Sequence, residues 1–260
     1  MSTALITGAS NGIGLELAKI HASKGDNLVL VARNAAKLNE LKSQLEHLYK
    51  VQTHIIVKDL SVPDAAQEVH DETTAQGIAI NYLINNAGFG DYGLFYTVDW
   101  GKTQQMLNLN ILSLTQFTYL YLKDMVNQGS GRIMNVASTA AFQPVPTMSV
   151  YSVTKAFVLS FSEAVNNEVK DKGVTVTALC PGPTSTGFRS AAAMEKSGLF
   201  KDSKSTGPKE VADYGYKAMM SGKSVAIHGT KNLLMARAVS FLPRKIVINT
   251  TRKMMEERAT

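Results

Sequence analysis

Thr7-Gly-Ala-Ser-Asn-Gly-Ile-Gly14 follows directly on the alternating run Thr3-Ala-Leu-Ile-Thr7 and precedes a segment of helical spacing that reaches about Lys24. A strand, a glycine turn and a helix in that order open a dinucleotide-binding unit. Glycines at 8, 12 and 14 let the backbone turn tightly and approach a pyrophosphate, whose charge the helix N-terminus stabilises. Ser10, Asn11 and Ile13 belong to the same loop. The spacing is G-x-x-x-G-x-G, which is neither the commoner G-x-G-x-x-G nor a P-loop, since no G-K-[ST] follows. A bare glycine triplet also serves as a plain turn. Its place between a first strand and a first helix is what points to a dinucleotide.

Downstream, short β-branched runs recur at 28–31, 54–57, 82–84, 133–136 and 174–179, separated by longer segments with helical spacing. Such alternation predicts an α/β fold, a single Rossmann-type, doubly wound parallel sheet of about seven strands flanked by helices. Its ligands sit at the carboxyl ends of the strands, and every further motif falls at one of these ends. The second strand ends Val31-Ala-Arg33, without the acid that holds a ribose 2′-hydroxyl in NAD sites. Arg33 can instead pair with a 2′-phosphate, which favours NADP(H) over NAD(H); the alternative is a solvated arginine at a strand end. Asp59-Leu60 closes the third strand, where the carboxylate either accepts from an adenine amino group or caps a helix. Asn85-Asn86-Ala87-Gly88 offers small residues against which a ribose or ring can lie, or makes a turn.

One helix is expected over about 99–127, carrying Asn110 among Met106, Leu107, Ile111, Leu114 and Phe117. A buried asparagine must find partners: it either braces an active-site water chain or satisfies neighbouring backbone. Tyr151-Ser-Val-Thr-Lys155 places a phenol and an ammonium four residues apart, on one face of a helix. A nearby cation lowers a phenol's pKa and fits it for general acid–base work. Ser138 ends the fifth strand thirteen positions earlier, where its hydroxyl can stabilise charge developing on a carbonyl oxygen.

Bulk properties exclude several classes. The single cysteine, Cys180, rules out an intramolecular disulfide and fits a reducing compartment. Histidines 21, 47, 54, 70 and 228 lack metal-ligand spacing, so no metal is expected. The run at residues 3–7 reads as a strand rather than a leader peptide, and no apolar run approaches the roughly 18 residues that span a bilayer. A cytoplasmic protein is expected. Net charge is +6, but residues 1–222 hold 19 Lys and Arg against 19 Asp and Glu, while residues 223–260 hold 8 against 2. The neutral body argues against a nucleic-acid partner.

Taken together, residues 7–14, Asp59, Asn85–Gly88, Asn110, Ser138, Tyr151, Lys155 and Pro181-Gly182 resemble the short-chain dehydrogenase/reductases, over about residues 3–229. Within that family the chain looks most like the 3-ketoacyl and hydroxysteroid reductases. The resemblance implies that Tyr151 exchanges a proton with the carbonyl or alcohol oxygen and that Lys155 lowers its pKa and holds the nicotinamide ribose. It implies that Ser138 polarises the carbonyl and that Asn110 holds a water linking Lys155 to solvent. Asn86, Ala87 and Gly88 would pack along the cofactor, and Pro181, Gly182, Thr184 and Thr186 would clasp its nicotinamide end.

The segment 184–208 mixes small and bulky apolar residues as a lid does. With it, Phe89, Phe142, Val145, Phe188, Met194 and Phe200 are expected to line an apolar pocket for a hydrophobic, acyl-type ketone, unless several of them are core. Residues 1–229 then form the main domain and 230–260 a basic, helical extension in two pieces around Pro243. Its first piece is apolar over most of its circumference and must be buried somewhere. The extension packs on its own subunit or a partner and walls the pocket, or it docks weakly on an anionic membrane or an acyl-carrier protein. The helices at 99–127 and 150–171 suit a homodimer or homotetramer. The competing function is a non-catalytic NADP(H) sensor or scaffold.

Overall fold

A computed structural model describes residues 1–188, 192 and 206–256. Seven parallel strands form one sheet in the order β3-β2-β1-β4-β5-β6-β7: β1 Thr3–Thr7, β2 Asn27–Ala32, β3 Thr53–Val57, β4 Tyr82–Asn85, β5 Gly131–Val136, β6 Val174–Cys180 and β7 Val225–Ile227. The order reverses between β1 and β4, which pair from Ala4↔Tyr82 to Ile6↔Ile84. Successive strand residues feed opposite faces, and both faces are buried, as a parallel sheet requires. Ala4, Ile6, Leu28, Leu30 and Met134 pack against Leu17 of α1 (Gly12–Ser23), Leu38 and Leu45 of α2 (Ala35–Tyr49), and Val211 and Met219 of α7 (Pro208–Met220). Leu5, Val29, Leu83 and Ile133 pack against Val69 of α3 (Ala65–Ala75), Phe117 and Tyr121 of α5 (Leu114–Gln128) and Val165 of α6 (Ser149–Val169).

Local chemistry sets the helix boundaries. The side chain of Asn11 caps α1 by accepting from Gly12 N at 2.8 Å, and Asn34 caps α2 by accepting from Lys37 N at 3.0 Å. Gly129, with φ 68°, ends α5 in the left-handed conformation that favours glycine. The single helix expected over 99–127 is instead α4 (Trp100–Leu107), a π turn (Asn108–Ser113) and α5. The wider turn lies where the Asn110 amide is held by the backbone of Phe89, a contact to which apolar periodicity is blind.

The extension forms α8 (Thr230–Val239) and α9 (Arg244–Met255). Among the described residues, nothing gives the first piece the full burial expected from its apolar circumference. Only Ala236 of α8 is fully buried, while Leu234 and Met235 are exposed. The helix lies on the surface with one side inward, and no other described element covers the opposite side. In α9, Val247, Thr251 and Met255 are buried, one helical turn apart.

A buried polar chain runs beneath the strand ends. Asn85 Nδ2 donates to Thr118 Oγ1 at 3.1 Å and to Asn135 Oδ1 at 2.9 Å, and Asn135 Nδ2 donates to Ser162 Oγ at 3.0 Å. It ties β4 and β5 to α5 and α6. Asn135→Ala would take one partner from each of two buried groups, Asn85 Nδ2 and Ser162 Oγ, so we expect a loss of about 1–3 kcal/mol of stability. Urea unfolding should show a lower midpoint with an unchanged slope.

Candidate active site

A single cleft of about 950 Å³ runs across the carboxyl ends of the strands. Gly8, Ser10, Asn11, Gly12 and Ile13 line it at the end of β1, Arg33 at the end of β2, Asp59 and Leu60 after β3, and Asn86, Ala87 and Gly88 after β4. Ser138, Tyr151, Lys155, Pro181, Gly182, Thr184 and Thr186 line the same cleft, as do Phe89, Phe142, Val145 and Phe188. Two of the sequence-derived residues lie behind its wall. Gly14 packs against Asn86, and Asn110 is buried behind Phe89. Met194, Phe200 and most of the lid at 184–208 fall outside the described residues.

The glycine loop is shaped first by the protein's own side chains. Thr7 Oγ1 accepts from Asn86 N and Ala87 N, each at 3.0 Å, while Asn86 Nδ2 donates to Thr7 O at 2.9 Å and Gly8 O at 3.2 Å. A Cβ on Gly14 would stand 2.5 Å from both Asn86 Nδ2 and Gly8 O. One on Gly8, whose φ is +66°, would stand 2.8 Å from Asn86 Nδ2. These two glycines therefore also make room for Asn86, whatever they clear for a pyrophosphate. Gly12 combines φ +58° with Thr186 Cγ2 at 2.9 Å from its would-be Cβ.

At the far end from Tyr151, Arg33 is 75% exposed and stands 3.7 Å from Asp59 Oδ2. That ion pair is loose and solvent-screened, so it binds the guanidinium weakly. Burial raises the Asp59 pKa, but bonds from Ser61 N and Oγ at 2.9 and 2.7 Å, with Arg33 beside them, outweigh this and hold it below the usual range.

Around Tyr151, β5 and α6 bring together what the chain separates. Ser138 leaves β5 in extended backbone (φ −172°, ψ 162°), accepts from Ala140 N at 3.1 Å and lies close enough to the Tyr151 phenol to lower its pKa. Lys155 Nζ donates to Val136 O at 2.8 Å and stands 5.8 Å from the Tyr151 ring centroid. Burial pushes the phenol up to about 12, against the lowering effect of Ser138. Burial also pushes the Lys155 ammonium down to about 8, partly offset by Cys180. On the protein's own groups, then, the Tyr151 phenol stands above its ordinary pKa, because desolvation outweighs the lowering effect of Ser138.

Asn110 Nδ2 donates to Phe89 O at 2.9 Å and Thr154 Oγ1 at 3.1 Å, and its Oδ1 accepts from Phe89 N at 3.2 Å. Its direct side-chain partners are thus the Phe89 backbone and Thr154. A Cβ on Gly88 would meet Asn110 Oδ1 at 3.0 Å and Lys155 Nζ at 3.4 Å, so these three converge.

The sequence reading has the extension as a whole wall the pocket without naming its lining residues, which are Asn232, Met235, Ala236, Thr251, Met254 and Met255, and it misses Met148. Met255 is buried with Met148, Val145 and Tyr151, and its carbonyl accepts from Tyr92 Oη at 2.7 Å. The turn-by-turn spacing of 247, 251 and 255 marks an inward face, yet nothing local says what that face meets.

The chain matches the short chain dehydrogenase family over residues 2–197. It is 31% identical over 257 residues to a very-long-chain 3-oxoacyl-CoA reductase of Mus musculus, covering 96% of this chain and 80% of that protein. Among solved structures, a short-chain dehydrogenase from Sphingobium yanoikuyae in complex with NADPH superimposes with a TM-score of 0.83 at 30% identity, covering 93% of this chain and 94% of that one. A bulky-bulky ketone specific alcohol dehydrogenase from Comamonas testosteroni gives 0.79 at 30% identity, covering 93% and 92%. With the seven-stranded parallel sheet, these similarities show that the chain belongs to the short-chain dehydrogenases, oxidoreductases that use a nicotinamide cofactor.

Proposed function

We propose that the protein reduces a large, hydrophobic, acyl-type ketone with NADPH, or oxidises the matching secondary alcohol with NADP⁺, with Tyr151 as the proton donor or acceptor. The observation that carries this reading is the convergence of Ser138, Tyr151 and Lys155 in the cleft that also holds the glycine loop and Arg33. The donor set fits a phosphorylated dinucleotide. No acidic residue occupies the first turn of α1, so its positive end is not neutralised locally. Arg33 offers a loosely held guanidinium. Gly8, Ser10, Asn11, Gly12 and Ile13 would hold the pyrophosphate and Arg33 the 2′-phosphate, with Asp59 and Leu60 beside the adenine. Asn86, Ala87, Gly88, Pro181, Gly182, Thr184 and Thr186 would hold the nicotinamide half. Bound there, the nicotinamide supplies the hydride.

The chain's own groups handle the proton. With its pKa at about 12, Tyr151 keeps its proton near neutrality and gives it up only as the substrate oxygen gains charge. Ser138 donates to that same oxygen and orients it. Lys155, beside the ring, favours the phenolate left behind. Phe89, Phe142, Val145 and Phe188 exclude water from the reacting centre. Relatives acting on very-long-chain 3-oxoacyl-CoA and on bulky-bulky ketones support a large apolar substrate, and the NADPH complex supports the cofactor choice. Exposed Leu112 and Tyr119, with Val153 and Phe157 of α6, support a homo-oligomer.

Three outcomes test this reading. Tyr151→Phe should reduce the rate of NADPH consumption with a 3-ketoacyl thioester by about 10²–10⁴-fold while leaving NADPH binding, followed by its fluorescence, nearly unchanged. Full turnover in this variant would remove Tyr151 from the mechanism. Arg33→Ala should weaken NADPH binding by about ten- to a hundredfold and leave NADH binding alone. Lys155→Met should abolish most turnover, yet its stability relative to wild type should depend on pH. The folded protein disfavours the ammonium, so wild type carries the full burial cost below about 8 and sheds it as pH rises towards the ordinary 10.5. Urea unfolding across that window should therefore shift the balance towards wild type as pH rises.

A further inference from the structure

We infer that α8 and α9 seat the protein on an anionic lipid bilayer, with the rim of the cleft turned towards the lipid. In α8 the inward side carries Asn232, Ala236 and Val239. Leu234, Ala238 and Phe241 follow an i, i+4, i+7 spacing on the opposite side, and Leu234 is 63% and Phe241 88% exposed. Exposed Leu242 and Ile246 carry the apolar surface past Pro243 into α9. Lys231, Arg237, Arg244, Lys245, Arg252 and Lys253 surround it, all exposed. Among the described residues, only Arg252 of this group meets a carboxylate, that of Glu256 at 2.7 Å.

An exposed apolar stripe within a basic field is the pattern of a helix lying in a membrane interface. No helix of the described residues is long and apolar enough to cross a bilayer, so the contact is superficial. Charge selects this occupant over a second copy of the chain, because pairing two such faces would bring six cations against six like charges. Shape selects it over a folded acidic protein. Phe241 and Leu242 stand exposed at the turn between the helices, bare apolar side chains that suit a deformable phase better than a preformed groove. The extension is also the rim of the cleft: Met235 and Met254 line it and remain 40% and 44% exposed. A ketone dissolved in the bilayer would thus enter without crossing water. This last clause rests on the proposed substrate class; the docking itself does not.

Flotation of the full chain with vesicles tests the docking. Vesicles of phosphatidylcholine with a minority of phosphatidylserine should carry the protein upward at low salt, and high salt or phosphatidylcholine alone should release it. Leu234→Ser with Phe241→Ser should weaken binding by about tenfold or more, and Arg244→Gln with Lys245→Gln should remove its salt dependence in large part. Both double variants should reduce a water-soluble ketone at the wild-type rate, since none of the four residues lines the cleft. Absence of flotation, flotation indifferent to both variants, or a homodimer or acidic acyl-carrier complex lost with Phe241→Ser would overturn the docking. Turnover without flotation leaves the reductase reading standing alone. Flotation without turnover of any ketone separates the two in the opposite sense.

Discussion

The site depends on how closely the end of β4 approaches the glycine loop after β1. Asn86 reaches across this gap and donates to the carbonyls of Thr7 and Gly8, while Thr7 Oγ1 gathers the amides of Asn86 and Ala87. The two strands are neighbours at the point where the strand order reverses, so the clamp fixes the floor of the cleft where a doubly wound sheet binds its ligands. The approach leaves no space for a side chain at Gly8 or Gly14. A glycine pattern usually explained by a ligand is also required here by the packing of Asn86 against the loop. Preorganisation of this kind means that little reordering remains to be done when a ligand arrives.

Burial governs the chemistry at the other end. Desolvation raises the Tyr151 phenol and lowers the Lys155 ammonium, which moves both groups towards their neutral forms. The hydrogen bond from Lys155 to Val136 O recovers part of that cost, and the Ser138 hydroxyl opposes the rise at Tyr151. For the proposed carbonyl reduction, a phenol that holds its proton until charge appears on the substrate oxygen is what the reaction needs. The burial that makes this possible costs stability, a common compromise at active sites. The polar chain from Thr118 through Asn85 and Asn135 to Ser162 helps to carry it, tying both strands to both helices directly below.

The extension serves two surfaces at once. Met255 packs beside the Tyr151 region and is held through its carbonyl by Tyr92, while no described residue covers the outward stripe of α8. One short segment therefore joins the wall of the cleft to an exposed apolar surface. Any partner that meets that surface lies close to the cleft rim.

Much of this was legible in the sequence because the signals are local or strictly periodic. β-branched runs broken by helical spacing implied the parallel sheet, since a right-handed crossover needs a helix between its strands. The glycine loop, Arg33 and the Tyr151–Lys155 pair were legible because strand ends and helix faces place residues at fixed offsets. Tertiary structure decided what depends on encounters between distant segments. Only packing shows that Asn86 fills the space above Gly8 and Gly14, that Asn110 opens a π turn to bond Phe89, and that Met255 meets Val145 and Tyr151. The pKa values of Tyr151 and Lys155 were likewise beyond the sequence, because desolvation depends on everything that surrounds a group and not on its neighbours along the helix. For the same reason, the apolar circumference of α8 announced burial, but only the fold determined that one of its sides would face outward.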